Sequence, residues 1–121
     1  MKGLKGEVYM NNSNQLNSFE LILHAGNAKS SAIEAINAAN NENYELVESK
    51  LNEAGDELPM AHQMQTDLLM KMMKGEEVPV DILMVHAQDH LSNAILINEL
   101  AKQFIEMKKE IQELRKQLNE K

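Results

Sequence analysis

The stretch Leu100–Leu118, LAKQFIEMKKEIQELRKQL, decides the fold. Its apolar residues Leu100, Phe104, Met107, Ile111, Leu114 and Leu118 alternate in steps of four and three, which is a heptad seam on a helix. No Gly or Pro interrupts the chain between Pro79 and the end, so one continuous helix of roughly 60 Å is expected. A single small domain cannot bury a helix that long, and the seam therefore predicts self-association. Followed upstream, the same steps pass through Ile97, Asn93, His90, His86 and Leu83. The seam turns polar at a cluster of reactive side chains, which puts a candidate site near a boundary between copies.

Two more helices precede Pro79. Leu16, Phe19, Leu21, Ile22, Leu23, Ala25, Ala28, Ile33, Ile36 and Ala39 recur at helical rather than alternating spacing and predict a helix ending near Asn40-Asn41. A second periodic stretch runs from Tyr44 to about Lys74 and carries Val47, Leu51, Ala54, Leu58, Ala61, Met64, Leu68, Leu69 and Met72. Pro59 lacks the amide that would reach the carbonyl of Gly55, so a kink or break is expected there. Gly75 is placed to cap this helix, and Pro79 stands where the third should begin. Gly26 weakens the first helix by about 1 kcal/mol relative to Ala, and close packing against a neighbour is the expected reason for it. Residues 1–14, with Gly3, Gly6 and Asn11-Asn12-Ser13-Asn14, read as a flexible lead. The expected class is all-α: an antiparallel three-helix bundle over 15–121 with a C-terminal coiled-coil extension.

Composition narrows the function. The 121 residues are 43% hydrophobic but only 3% aromatic, which suits helices packed on helices through aliphatic residues and nine Met. A formal charge of −7 argues against nucleic acid, whose binding depends on Lys and Arg displacing counterions. The chain has no Cys, which removes thiolate chemistry and thiolate metal ligation. No apolar run approaches the roughly 18 residues of a membrane span, and the first residues lack the apolar core of a signal peptide, so a cytoplasmic location is expected.

The chemistry is concentrated in His86-Ala87-Gln88-Asp89-His90. At helical spacing His86, Asp89 and His90 are neighbours. A neutral imidazole can be a nucleophile, a metal ligand or a proton carrier. The commoner fate of a helix histidine is a satisfied structural group. Here Asp89 can fix a tautomer, Gln88 can donate to an anion and His90 can add charge, which is nearly sufficient apparatus for phosphoryl transfer. His86 and His90 also match the spacing of the zinc motif H-E-x-x-H, but Ala87 occupies the position of its general base, which argues against a zinc hydrolase. Copies of Asp89 gathered at a symmetry axis would repel unless protonated or bridged by a hard cation such as Mg2+.

Other polar clusters, His24-Ala25-Gly26-Asn27-Ala28-Lys29-Ser30 and Ala61-His62-Gln63-Met64-Gln65-Thr66, are individually most simply structural. Lys29 and Ser30 have the chemistry to touch a phosphate, and His62 and Gln65 share a face from which they can reach another helix. Met60, Met64, Met70, Met72, Met73 and Met84 read as core packing, or as an adaptable docking face.

Taken together, His24 to Ser30, Ala61-His62-x-x-Gln65-Thr66 and Val85-His86-Ala87-Gln88-Asp89-His90-Leu91 resemble the lactose/cellobiose-type enzyme IIA of the bacterial phosphoenolpyruvate-dependent sugar phosphotransferase system. The likeness spans roughly Leu16 to Met107, and the third element is the specific one. The resemblance implies a homotrimer of three-helix subunits, a nine-helix bundle. It also implies that His86 accepts a phosphoryl group from the phosphocarrier HPr and yields it to a cysteine of the IIB component. Gln88 and His90 are implied to flank that group, and Asp89 to hold a divalent cation at the trimer axis. The tail beyond Met107 is longer than this pattern. A competing reading, from the heptads and the Met-rich face, is a coiled-coil adaptor without chemistry.

Overall fold

The computed structural model describes residues 2–120, with side chains over 15–120. Three helices succeed one another, α1 (Lys2–Asn40), α2 (Tyr44–Met73) and α3 (Ile82–Asn119), and no strand occurs among the described residues. The flexible lead expected over 1–14 falls on residues whose side chains lie outside this description.

Helix α1 occupies the middle. It packs along both α2 and α3, which touch each other little. Its buried face is a row of alanines, Ala25, Ala28, Ala32, Ala35 and Ala38, whose single methyls let two backbones approach closely. At one level Leu21, Ala25 and Ala28 meet Ala61 of α2 and Ala87, Leu91 and Ala94 of α3. Towards the other end Ala35, Ala38 and Ala39 meet Val47 and Ile105, with Tyr44 and Leu51 packed alongside.

Polar links stitch α1 to α2. His24 Nδ1 pairs with Glu57, the Ser31 hydroxyl donates to Glu53 at 3.1 Å, and Lys50 meets Glu34 at 2.7 Å and Glu53 at 3.1 Å. The hydrogen bonds from Lys50 to Glu34 and Glu53 raise the pKa of that ammonium. Those that Glu53 receives from Lys50 and Ser31 lower its own. The Glu34 and Glu53 carboxylates are exposed, so the Lys50 pairs fix geometry more than they stabilise.

Each connection has a defined chemistry. At the end of α1 the amide of Asn43 reaches the carbonyl of Ala38 at 2.9 Å and that of Glu42 reaches Ala39 at 3.0 Å, a Schellman closure. Its left-handed position is held by Glu42 (φ 60°) rather than glycine. The Asn43 carboxamide oxygen then caps α2 by accepting from the Leu46 amide at 3.3 Å. At the other end of α2, Gly75 (φ 83°) supplies the left-handed residue as expected, with Glu76 donating to Lys71 and Gly75 to Met72. Helix α3 starts later than Pro79 suggests. Asp81 is its N-cap, accepting from the Met84 amide at 2.9 Å, and this carboxylate, not the proline, sets the first turn.

Three further expectations are corrected. Helix α2 is unbroken across Pro59. Both Pro59 and Gly55 lie on its exposed side, where solvent can satisfy the Gly55 carbonyl that loses its amide partner. Gly26 is not explained by close packing, because a methyl built there meets no atom within 4 Å. Gly26→Ala should therefore raise stability by about 1 kcal/mol, read as a later urea midpoint with an unchanged slope. Finally, Met84 is buried and Met64 half-buried, but Met60, Met70, Met72 and Met73 are exposed and do not build the core of this chain.

Helix α3 leaves a long apolar stripe uncovered. Val85, Leu96, Leu100, Phe104, Met107, Ile111, Leu114 and Leu118 are all at least 39% exposed. Its upstream course differs by a residue from the sequence trace: Ile97, His90 and Leu83 turn partly inward, while Leu96 and Val85 face out with Asp89 between them. The reason is that Ala87, Leu91 and Ala94 carry the contact with α1, which rotates the free face towards Asp89.

Candidate functional site

His86 and His90 sit one turn apart on the outer side of α3, above the buried Ala87 and Leu91 that fasten this turn to α1. A fully packed floor gives the site a rigid base. His86 is exposed and His90 half-buried. Their Nε2 atoms face each other at 3.1 Å, and the rings meet edge to face with centroids 4.5 Å apart. In such a contact one nitrogen carries the proton and the other the lone pair. His90 Nδ1 is buried and has no partner among the described residues. A proton there would be a buried, unsatisfied donor. Hydrogen-bond accounting therefore favours His90 as the Nε2–H tautomer, donating to a lone pair on His86 Nε2.

The remaining members of the cluster point elsewhere. Gln88 accepts a hydrogen bond from Gln65 Nε2 at 2.7 Å and donates to the Met84 sulfur at 3.6 Å, so its amide is tethered to α2 rather than bonded to His86. Thioether sulfur is a weak acceptor, and that donor is readily recruited by a stronger one. Asp89 is exposed on the apolar stripe, away from the imidazole pair. Among the described residues no three His, Asp or Glu side chains are grouped closely enough to hold a metal ion.

Of the other candidates, Gln65 does reach across to another helix, as its position predicted, while His62 is exposed. His24 belongs to the α1–α2 seam through Glu57. Ser30 lines a cleft with Glu34, Glu53, Asp56 and Glu57, acidic surroundings that repel a phosphate. What the sequence did not disclose is an apolar cleft of about 320 Å3 next to the imidazole turn, lined by Leu68, Leu69, Met72, Val80, Met84 and Val85 among others. Only the density of Met and Val around 69–85 signals it beforehand.

The arrangement offers an exposed imidazole whose Nε2 lone pair faces a donor, on a rigid helix. A family model described as PTS system, Lactose/Cellobiose specific IIA subunit matches residues 16–109. The chain belongs to this family. The lichenan-specific phosphotransferase enzyme IIA component of Bacillus subtilis (strain 168) is 45% identical over 97 residues, covering 80% of this chain and 88% of that protein. A cellobiose-specific EIIA component of Lactococcus lactis subsp. lactis is 43% identical over 78% of this chain and 81% of its own length. Among solved structures, the PTS cellobiose-specific enzyme IIA from Bacillus anthracis superposes with a TM-score of 0.79 at 36% identity, covering 82% of this chain and 91% of that one. PtcA from S. mutans gives 0.77 at 47% identity, over 81% and 96%. As a IIA subunit the chain is a phosphotransferase component serving sugar uptake, and the expected all-α fold of three helices is observed. No helix among its described residues is long and apolar enough to cross a membrane.

Proposed function

We propose that His86 is the phosphoryl carrier of this IIA subunit, working in the cytoplasm as part of a homotrimer. The observation that carries this reading is the exposed His86 ring with its Nε2 lone pair held opposite His90 at 3.1 Å. That lone pair attacks the phosphorus of the phosphohistidine of HPr in line. The donor P–N bond breaks, its electrons return to the HPr imidazole, and a new P–N bond forms on His86. The second transfer repeats the exchange, with a IIB cysteine thiolate as nucleophile and the P–N bond to His86 as the one that breaks. As the group arrives, the His90 N–H shifts from the ring nitrogen to a phosphoryl oxygen, and the Gln88 amide can leave Met84 to do the same. Both are positioned donors, and neither forms a bond to phosphorus.

Asp89 has a different part. It interrupts the uncovered apolar stripe, where a carboxylate is tolerated if identical copies share a bridging cation or a proton. Three Asp89 carboxylates from three copies make an oxygen-only donor set suited to Mg2+ or a similar hard cation, whereas one chain alone supplies too few ligands. Such an ion neutralises charge at the axis. Replacing Asp89 by Leu should preserve or tighten the assembly by removing repulsion, read as an unchanged or lower dissociation concentration in light scattering. Dissociation to monomers that added Mg2+ does not influence in the parent chain would refute an axial carboxylate.

The relay itself is tested by incubating the chain with phosphoenolpyruvate, enzyme I and HPr. One acid-labile phosphate per chain is the expected yield. An adaptor without chemistry gains no mass.

A further inference from the structure

We infer that Gln65 is a positioning residue for the relay: from α2 it fixes which end of the Gln88 carboxamide is free to meet the phosphoryl group. The inference rests on the reading of Gln88 as a donor to that group, and names the side chain that makes it one. A carboxamide carries donors at one end and an acceptor at the other, and the two ends are nearly alike in shape. Turned one way, Gln88 offers an N–H to an incoming anion. Turned the other, it offers an oxygen that repels it.

Two contacts choose between these orientations. Gln65 Nε2 donates to Gln88 Oε1 at 2.7 Å, which occupies the oxygen from the α2 side. Gln88 Nε2 lies 3.6 Å from the Met84 sulfur, a group that accepts and has no proton to give. A flipped Gln88 would set its oxygen against that sulfur, so the thioether and the Gln65 amide select the same orientation. The two contacts differ in strength. The bond from Gln65 has the length of a good amide hydrogen bond, whereas the one to sulfur is weak and yields to an anion. Gln88 therefore keeps its oxygen on Gln65 while its N–H exchanges sulfur for a phosphoryl oxygen. Both glutamines are half-buried at the edge of the apolar cleft, whose other lining side chains, Leu68, Leu69 and Val85 among them, offer neither a rival partner. Gln65 stands one helical turn beyond Ala61, which is buried against α1 and α3, so the orienting donor has a fixed base.

Single-turnover phosphate uptake from phosphorylated HPr reads the effect. Gln65→Leu suits the apolar cleft but removes the donor, and should slow transfer about tenfold while the final stoichiometry and the half-saturating HPr concentration stay unchanged. Gln65→Lys restores a donor and should recover most of the rate. Gln65→Glu presents an acceptor, draws the Gln88 N–H towards itself and should be slower than Gln65→Leu. In a Gln88→Leu background the Gln65 variants should all react at one rate, because no carboxamide is left to orient. A charge acting directly on the phosphate would keep the order Lys, Leu, Glu in that background. Gln65→Leu at the parent rate, or an order that survives Gln88→Leu, overturns the inference. The Lys and Glu variants decide the same question if the Leu variant loses helical content. A parent chain that takes up no label strikes the relay itself, whereas a labelled parent with indifferent Gln65 variants strikes only the positioning role.

Discussion

Replacing His86 by Ala should abolish acid-labile phosphate uptake from phosphoenolpyruvate, enzyme I and HPr, while the helical content of the chain stays unchanged. The ring is exposed and meets the His90 ring edge to face, so its removal opens no buried cavity. His90→Ala behaves differently. It should keep one phosphate per chain but slow uptake by about 10²-fold, the usual cost of one missing donor at a developing charge. Rapid-quench labelling separates the two, since only the acceptor changes the final stoichiometry. Label retained in His86→Ala would move the acceptor elsewhere, and His90, with one nitrogen buried, is a poor substitute.

The second large effect is structural. Leu91 is fully buried between α1 and α3 at the level of the imidazole turn, and Leu91→Ala should cost about 3 kcal/mol of unfolding free energy. Most of the buried residues in its cluster are alanines, which have no side chain to swing into the space. A urea midpoint that falls at constant slope is the signature. Exposed Glu48→Ala, as a reference, should stay within about 0.5 kcal/mol. A Leu91→Ala chain as stable as that reference would contradict the packing described for α3.

The helices and the reactive cluster were legible because both depend on spacing along one chain. Leu100 to Leu118 declared a helix and an uncovered face, and His86 to His90 declared a shared turn. The rest depended on what faces that turn. Which way Asp89 points is set by Ala87, Leu91 and Ala94 turning towards α1, a fact about a partner helix some sixty residues away in sequence. The choice of Met84 and Gln65 as the neighbours of Gln88 is equally non-local. Gly26 misled because close packing was inferred from the cost of a glycine in a helix, and a methyl there meets nothing within 4 Å; Pro59 misled because an exposed proline costs a helix one hydrogen bond without ending it. The start of α3 was misplaced because Asp81 competes with Pro79 as a boundary signal, and a carboxylate that bonds an amide outweighs a ring that only restricts a torsion.

A reactive ring carried on the outside of a helix has no lid to wait for. The turn bearing His86 is anchored by Ala87 and Leu91, so a visitor meets a fixed helix, and only the His90 N–H bond to the His86 nitrogen has to be given up. Throughput is then governed by how often the two visitors collide in the right orientation and how quickly each departs. A surface with seven excess negative charges favours visitors with a basic contact face and makes that traffic sensitive to ionic strength.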